Sequence, residues 1–91
     1  MSMSGVSVAS NKSLQLEATQ EAYNRAVVKL NLLLIEDKTH EEDVRAKLIE
    51  VMKERNKLGK YSFSDLYVMQ KSIEKTVDDF LAGLNEQYVS D

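Results

Sequence analysis

The chain has 91 residues, a formal net charge of −3, and no cysteine, proline or tryptophan. That length holds one small domain, and the missing cysteines exclude disulfides and thiolate metal sites. An apolar content of 43% beside 30% charged residues describes a surface-charged helical protein and not a disordered one.

The charge is unevenly placed. Residues 59–91 hold three basic and six acidic groups, which accounts for the whole imbalance. No basic stripe exists, so the pattern argues against a nucleic-acid partner. No apolar run reaches the length that spans a bilayer. The start lacks both a basic leader and a long apolar core, so a cleaved secretory signal is not expected. The expected setting is the cytoplasm, or export by a route that needs no such signal.

Residues 1–13 are rich in serine and small side chains without helical period, and read as a disordered tail. A first helix is expected over about 14–36. Leu16, Tyr23, Val27, Leu30 and Leu34 recur at helical spacing, widened by Ala22, Ala26 and Leu33. Near its end Leu32-Leu33-Leu34-Ile35 is apolar on every side of a helix. Such a turn needs more than one neighbour, either two helices of its own chain or a second molecule. Leu32, Leu33 and Ile35 are therefore candidate partner-binding residues.

Thr39-His40-Glu41-Glu42 has the spacing of a capping box, with Thr39 as cap and Glu42 three residues later. It opens a second helix over about 40–58, seamed by Val44, Leu48, Val51 and Leu58. The helix starts acidic and ends basic, in the order that suits its macrodipole. Gly59 stands where a left-handed residue would close it. Ser62 is placed to cap the next helix, with Asp65 in its acidic first turn. Tyr61 and Leu66 occupy the positions of a hydrophobic staple. A third helix is expected over about 63–82, seamed by Leu66, Ile73, Val77, Phe80 and Leu84. A connection this short makes the second and third helices antiparallel neighbours. The expected fold is all-α: an antiparallel helical hairpin (about 40–58 and 63–82) with a third, N-terminal helix (about 14–36). Together they form a small bundle, so residues 14–91 make a single domain. A lone hairpin of this size would be marginally stable, which gives the first helix a reason to join it.

Chemistry is sparse. His40 is the one histidine, without the partners a metal or general-base site needs, and reads as a solvated surface residue. The carboxylate runs Glu36-Asp37, Glu41-Glu42-Asp43 and Asp78-Asp79 are neighbours in sequence. On a helix such neighbours point about 100° apart and cannot face one substrate. No Gly-rich phosphate loop is present. The expectation is a protein that is not an enzyme, needs no cofactor and takes no small-molecule substrate. Its partner is another protein, another copy of itself, or both. Tyr67, on an apolar seam, and Tyr88, near the C-terminus, complete the candidate partner-binding set.

The serine-rich start (Ser2, Ser4, Ser7, Ser10, Ser13), a helical hairpin with a short polar turn, and Asp65-Leu66-Tyr67-Val68-Met69-Gln70 carry a resemblance. The last stretch is similar to the Leu-x-x-x-Gln opening of the C-terminal helix in needle and inner-rod subunits of bacterial type III secretion systems. That resemblance implies a small structural component that assembles through its helices. The chain departs from those families in having no proline in the turn and an extra capped helix. Small helical chaperones of the same systems fit the same features. The alternative expectation is a small regulatory adaptor or chaperone that binds one partner protein in an apolar groove.

Overall fold

The structure, a computed structural model, describes the backbone of residues 3–90 and the side chains of residues 11–84. Three helices follow one another: α1 (Met3–Glu36), α2 (Glu41–Arg55) and α3 (Phe63–Ser90), with a short 3-10 turn, Leu58–Lys60, between the last two. The protein is a small all-α bundle.

Helix direction follows from pairs of residues. Four residues, 37–40, join α1 to α2, and such a link returns the chain antiparallel. Between α1 and α3, Arg25 pairs with Glu74 and Lys29 with Asp78. Both partners advance four residues in the same direction, so these two helices run parallel. The bundle is up-down-up.

Its centre is α1. The backbones of α2 and α3 each come close to α1, and they approach each other less closely. The hairpin is present in connectivity, but the long first helix organises the packing. Ala22, Tyr23, Ala26 and Leu30 of α1 meet Val44, Leu48 and Val51 of α2, Leu58 of the turn, and Leu66, Ile73, Val77 and Leu84 of α3. Two alanines in the α1 stripe let both neighbours draw near. Leu16, Val27 and Leu34, expected on the seam, sit half-buried at its edge. The stripe is broad because two helices cover it.

Four boundaries differ from the sequence expectation, each for a local reason. First, α1 is bounded at Met3, upstream of the start expected near residue 14. Extending a formed helix costs little compared with nucleating one, and no proline interrupts residues 3–13. The side chains of the first ten residues of the expected tail lie outside the described residues. Second, α3 continues through Gly83 to Ser90. One glycine costs about 1 kcal/mol inside a helix, too little to end one without a stronger breaker.

Third, α2 begins one residue late. Asp37 Oδ1 accepts the Thr39 backbone N–H at 2.8 Å, an Asx turn that puts the N-cap at His40. Thr39 and Glu42 form no capping box, and the N-cap side chain makes no capping hydrogen bond. In a capping box the Thr39 N–H would have gone to the Glu42 side chain, and Asp37, two residues upstream, already holds it. Fourth, Gly59 is not a left-handed cap, because no described glycine has positive φ. The chain leaves α2 through Asn56 at φ −69°, ψ −15° and stays right-handed into the 3-10 turn. Lys60 N–H then reaches the Lys57 carbonyl at 3.3 Å and Tyr61 N–H the Leu58 carbonyl at 3.2 Å. Those short-range bonds tighten the exit from α2 into a 3-10 turn, so the chain turns there without a left-handed residue. At the start of α3, Ser62 Oγ accepts the Asp65 N–H at 3.2 Å. Tyr61 packs on the core to which the buried Leu66 belongs.

Candidate interaction surface

The apolar run at the end of α1 divides by helical phase. Leu33 and Leu34 lean half-buried onto the core. Leu32 and Ile35 point away from it, 52% and 71% exposed. Val28, 56% exposed, lies one turn before Leu32. Spacings of four and three residues put Val28, Leu32 and Ile35 on one stripe. That stripe lies about half a turn away from Ala26 and Leu30, which face the core. Both α2 and α3 pack on the other side, so no described element covers it. Val28 was missed by sequence reasoning. Its signal was present, one and two turns upstream of Leu32 and Ile35.

Charged and amide groups border the stripe. Along the α3 edge, Arg25 Nη2 meets Glu74 Oε1 at 3.1 Å and Lys29 Nζ meets Asp78 Oδ1 at 3.5 Å. More than half of each of these side chains is exposed, so the pairs add little to stability. Glu36 and Asn31 are exposed on either flank of Leu32 and Ile35. Tyr67 is half-exposed on α3, with the Lys71 ammonium 5.5 Å from its ring centroid, and belongs to a different face. Tyr88 lies outside the residues whose side chains are described. The candidate residues are therefore not one site: Leu32 and Ile35 share a face, Leu33 belongs with the core, and Tyr67 stands apart.

Polar groups inside the bundle set the register of α1 against its neighbours. Thr19 is fully buried, with Oγ1 at 2.7 Å from the Gln15 carbonyl and 3.0 Å from the Leu66 carbonyl. Its single hydrogen serves these two acceptors. Gln15 Nε2 donates to Thr19 Oγ1 at 3.1 Å and to Gln70 Oε1 at 2.7 Å. Leu66 and Gln70, the two residues of the Leu-x-x-x-Gln pattern, are thus engaged with α1. On the other side, the Tyr23 hydroxyl donates to Glu54 Oε1 of α2 at 3.0 Å. Burial, then the hydrogen bond and charge of Glu54, push the Tyr23 phenol well above its ordinary pKa.

His40 is half-buried, with Nδ1 at 3.1 Å from Asp37 Oδ2, and is not the solvated side chain its sequence suggested. The His40 ring, followed by the Thr39 backbone N–H, holds the Asp37 carboxyl below the usual range. Among the described residues no three metal-binding side chains come together, and no helix is long and apolar enough to cross a membrane.

A shallow groove of about 480 Å³ runs between α2 and α3, where the two helices stand apart. Ala46 and Gly83 line it with little bulk, beside Phe80 and Leu84. Asp43, Lys47, Glu50 and Asp79 supply its charged walls. Lys47 is held by Glu50 at 3.1 Å and stands 5.5 Å from the Phe80 ring centroid. Comparison of the chain with protein-family models, with curated proteins and with solved structures gives no match.

Proposed function

We propose that this protein is a non-catalytic helical interaction subunit that joins an assembly through the outer face of α1. One observation carries the reading. Val28, Leu32 and Ile35 form a stripe of large aliphatic side chains, each more than half exposed, on a helix whose opposite face already holds the core. Covering such side chains recovers on the order of 1 kcal/mol each, and an exposed apolar patch rimmed by polar groups is characteristic of a binding surface. The narrower assignment, to a type III secretion apparatus, rests on sequence pattern alone and predicts open-ended growth with concentration. Leu66 and Gln70 have an internal role that accounts for them without it.

The test compares two glutamate substitutions by chemical denaturation and circular dichroism. Leu32→Glu with Ile35→Glu is expected to keep both helicity and the unfolding midpoint. Leu33→Glu buries a charge against the core, and is expected to lose at least about 2 kcal/mol. A double variant that unfolds like Leu33→Glu would overturn the reading, since the stripe would then belong to the fold.

A second reading is favoured by the α2–α3 groove: an adaptor or chaperone that receives a partner segment there. Its walls carry four charged residues against two large apolar ones, Phe80 and Leu84. The drive for burial is therefore weaker than on α1, and the α1 face leads.

A further inference from the structure

We infer that the occupant of the α1 face is a second copy of this chain, with the two α1 helices antiparallel about a two-fold axis near Leu32. The inference rests on the interaction reading above and adds the partner and its orientation.

Spacing comes first. Val28, Leu32 and Ile35 occupy successive d, a and d positions of a heptad, the seam by which two helices pair. Extending the seam towards the N-terminus reaches Arg25 at a and Glu21 at d, which interrupt it before Ala18 and the exposed Leu14 resume it.

Charge then selects the direction. In an antiparallel pair centred on Leu32, Leu32 meets the second copy's Leu32, and Val28 meets the second copy's Ile35. The flanking position on one side places Lys29 opposite the second copy's Glu36, and the two-fold axis makes this pair twice. On the other side Asn31 faces Asn31, two groups that both donate and accept. A parallel pair loses both matches. It sets Lys29 against Asn24 and Glu36 against Asn31, and Arg25 meets Arg25 at the seam. A longer antiparallel register centred on Arg25 also brings the two guanidinium groups together. A third antiparallel register, centred near Tyr23, sets Leu32 on Leu14 and Val28 on Ala18 but carries Arg25 and Glu21 into the seam, where desolvation costs them. The Leu32-centred arrangement keeps its seam apolar and its opposite charges at the edge.

Both side chains are exposed enough to make it. Lys29 spans 3.5 Å to Asp78 in a mostly exposed pair, and Glu36 is exposed at the end of α1. The interface is isologous, so it closes at two copies and does not propagate. Three seam residues per copy make it smaller than a standard stable interface, which fits a reversible, concentration-dependent dimer.

The test uses the absence of native cysteine. Val28→Cys and Ile35→Cys both replace exposed side chains. Oxidised together at concentrations from about 10 µM to about 1 mM, they are expected to form a mixed disulfide at least about tenfold faster than either variant alone. Light scattering of the native chain over the same range is expected to pass from monomer to dimer and stop. Glu36→Lys should weaken the dimer about tenfold, because two attractive pairs become repulsive, and adding Lys29→Glu should restore it. Rapid self-crosslinking of Ile35→Cys would show a parallel pair and overturn the arrangement. Failure of the double charge exchange to restore pairing in a chain that melts normally would do the same. Monomer throughout, with the Leu32→Glu and Ile35→Glu chain folded, would remove the second copy as occupant. Unfolding of that variant would instead strike the interaction reading itself.

Discussion

The Tyr23 hydroxyl donates to Glu54 Oε1 across the α1–α2 interface at 3.0 Å, although its ring is almost wholly buried. The geometry joins the most buried aromatic ring of the core to a carboxylate at the rim of α2. Replacing Tyr23 with phenylalanine keeps the packing and removes the bond, at an expected cost of about 1–2 kcal/mol at pH 7. Equilibrium urea unfolding measures it.

The same pair sets a pH dependence. The folded-state pKa of Tyr23 is raised, so the folded protein holds this proton where the unfolded chain releases it. The associated stability is complete below the ordinary tyrosine value of about 10 and declines as pH rises above it. Native protein is expected to lose stability faster than Tyr23→Phe between about pH 9.5 and 11. Parallel curves for the two proteins in that window would exclude the coupling.

Asp37 acts in the opposite direction. Its carboxyl is held low by the His40 ring and then by the Thr39 N–H. The stability it contributes is present above the ordinary carboxylate range and is lost as pH falls through the depressed folded-state value. Asp37→Asn keeps an acceptor for the Thr39 amide but not the charge facing His40. It should flatten the acid side of the stability profile below about pH 4 and leave the alkaline side unchanged.

Both glycines outside the N-terminal segment are expected to tolerate a methyl group. Neither has positive φ, and a Cβ at Gly59 or Gly83 meets nothing within 4 Å. Gly83→Ala removes backbone freedom inside α3 and should stabilise by about 0.5–1 kcal/mol. Gly59→Ala should be neutral or gain a few tenths of a kcal/mol, whereas a left-handed cap would have made it costly. Thermal melts of the two single variants decide.

Thr19→Val tests the polar lock between α1 and α3. The exchange preserves shape but takes the hydroxyl from the Gln15 side-chain amide and from the Gln15 and Leu66 carbonyls. A loss of about 1–2 kcal/mol is expected, and Thr19→Ser should recover part of it. Equal stability of all three proteins would show that the hydroxyl does not hold the register.

The three helices were legible because each carries its own signals: the apolar period of Val44, Leu48 and Val51, the serine at position 62, the staple of Tyr61 and Leu66. Such signals act over one or two turns and depend on nothing distant. Sequence alone also singled out Leu32 and Ile35, since four consecutive apolar residues cannot all face one neighbour. Tertiary structure decided the rest. It made α1 the centre of the bundle, because two alanines let α2 and α3 both approach it. It turned Leu33 inward and Leu32 outward, since only the directions of the two neighbouring helices determine which side of α1 is covered. The Thr39 amide went to Asp37 and not to Glu42, and right-handed 3-10 bonding relieved Gly59 of the special geometry its position suggested. These two choices were made within one turn, whereas packing against distant segments fixed the place of α1 and the facing of Leu32 and Leu33.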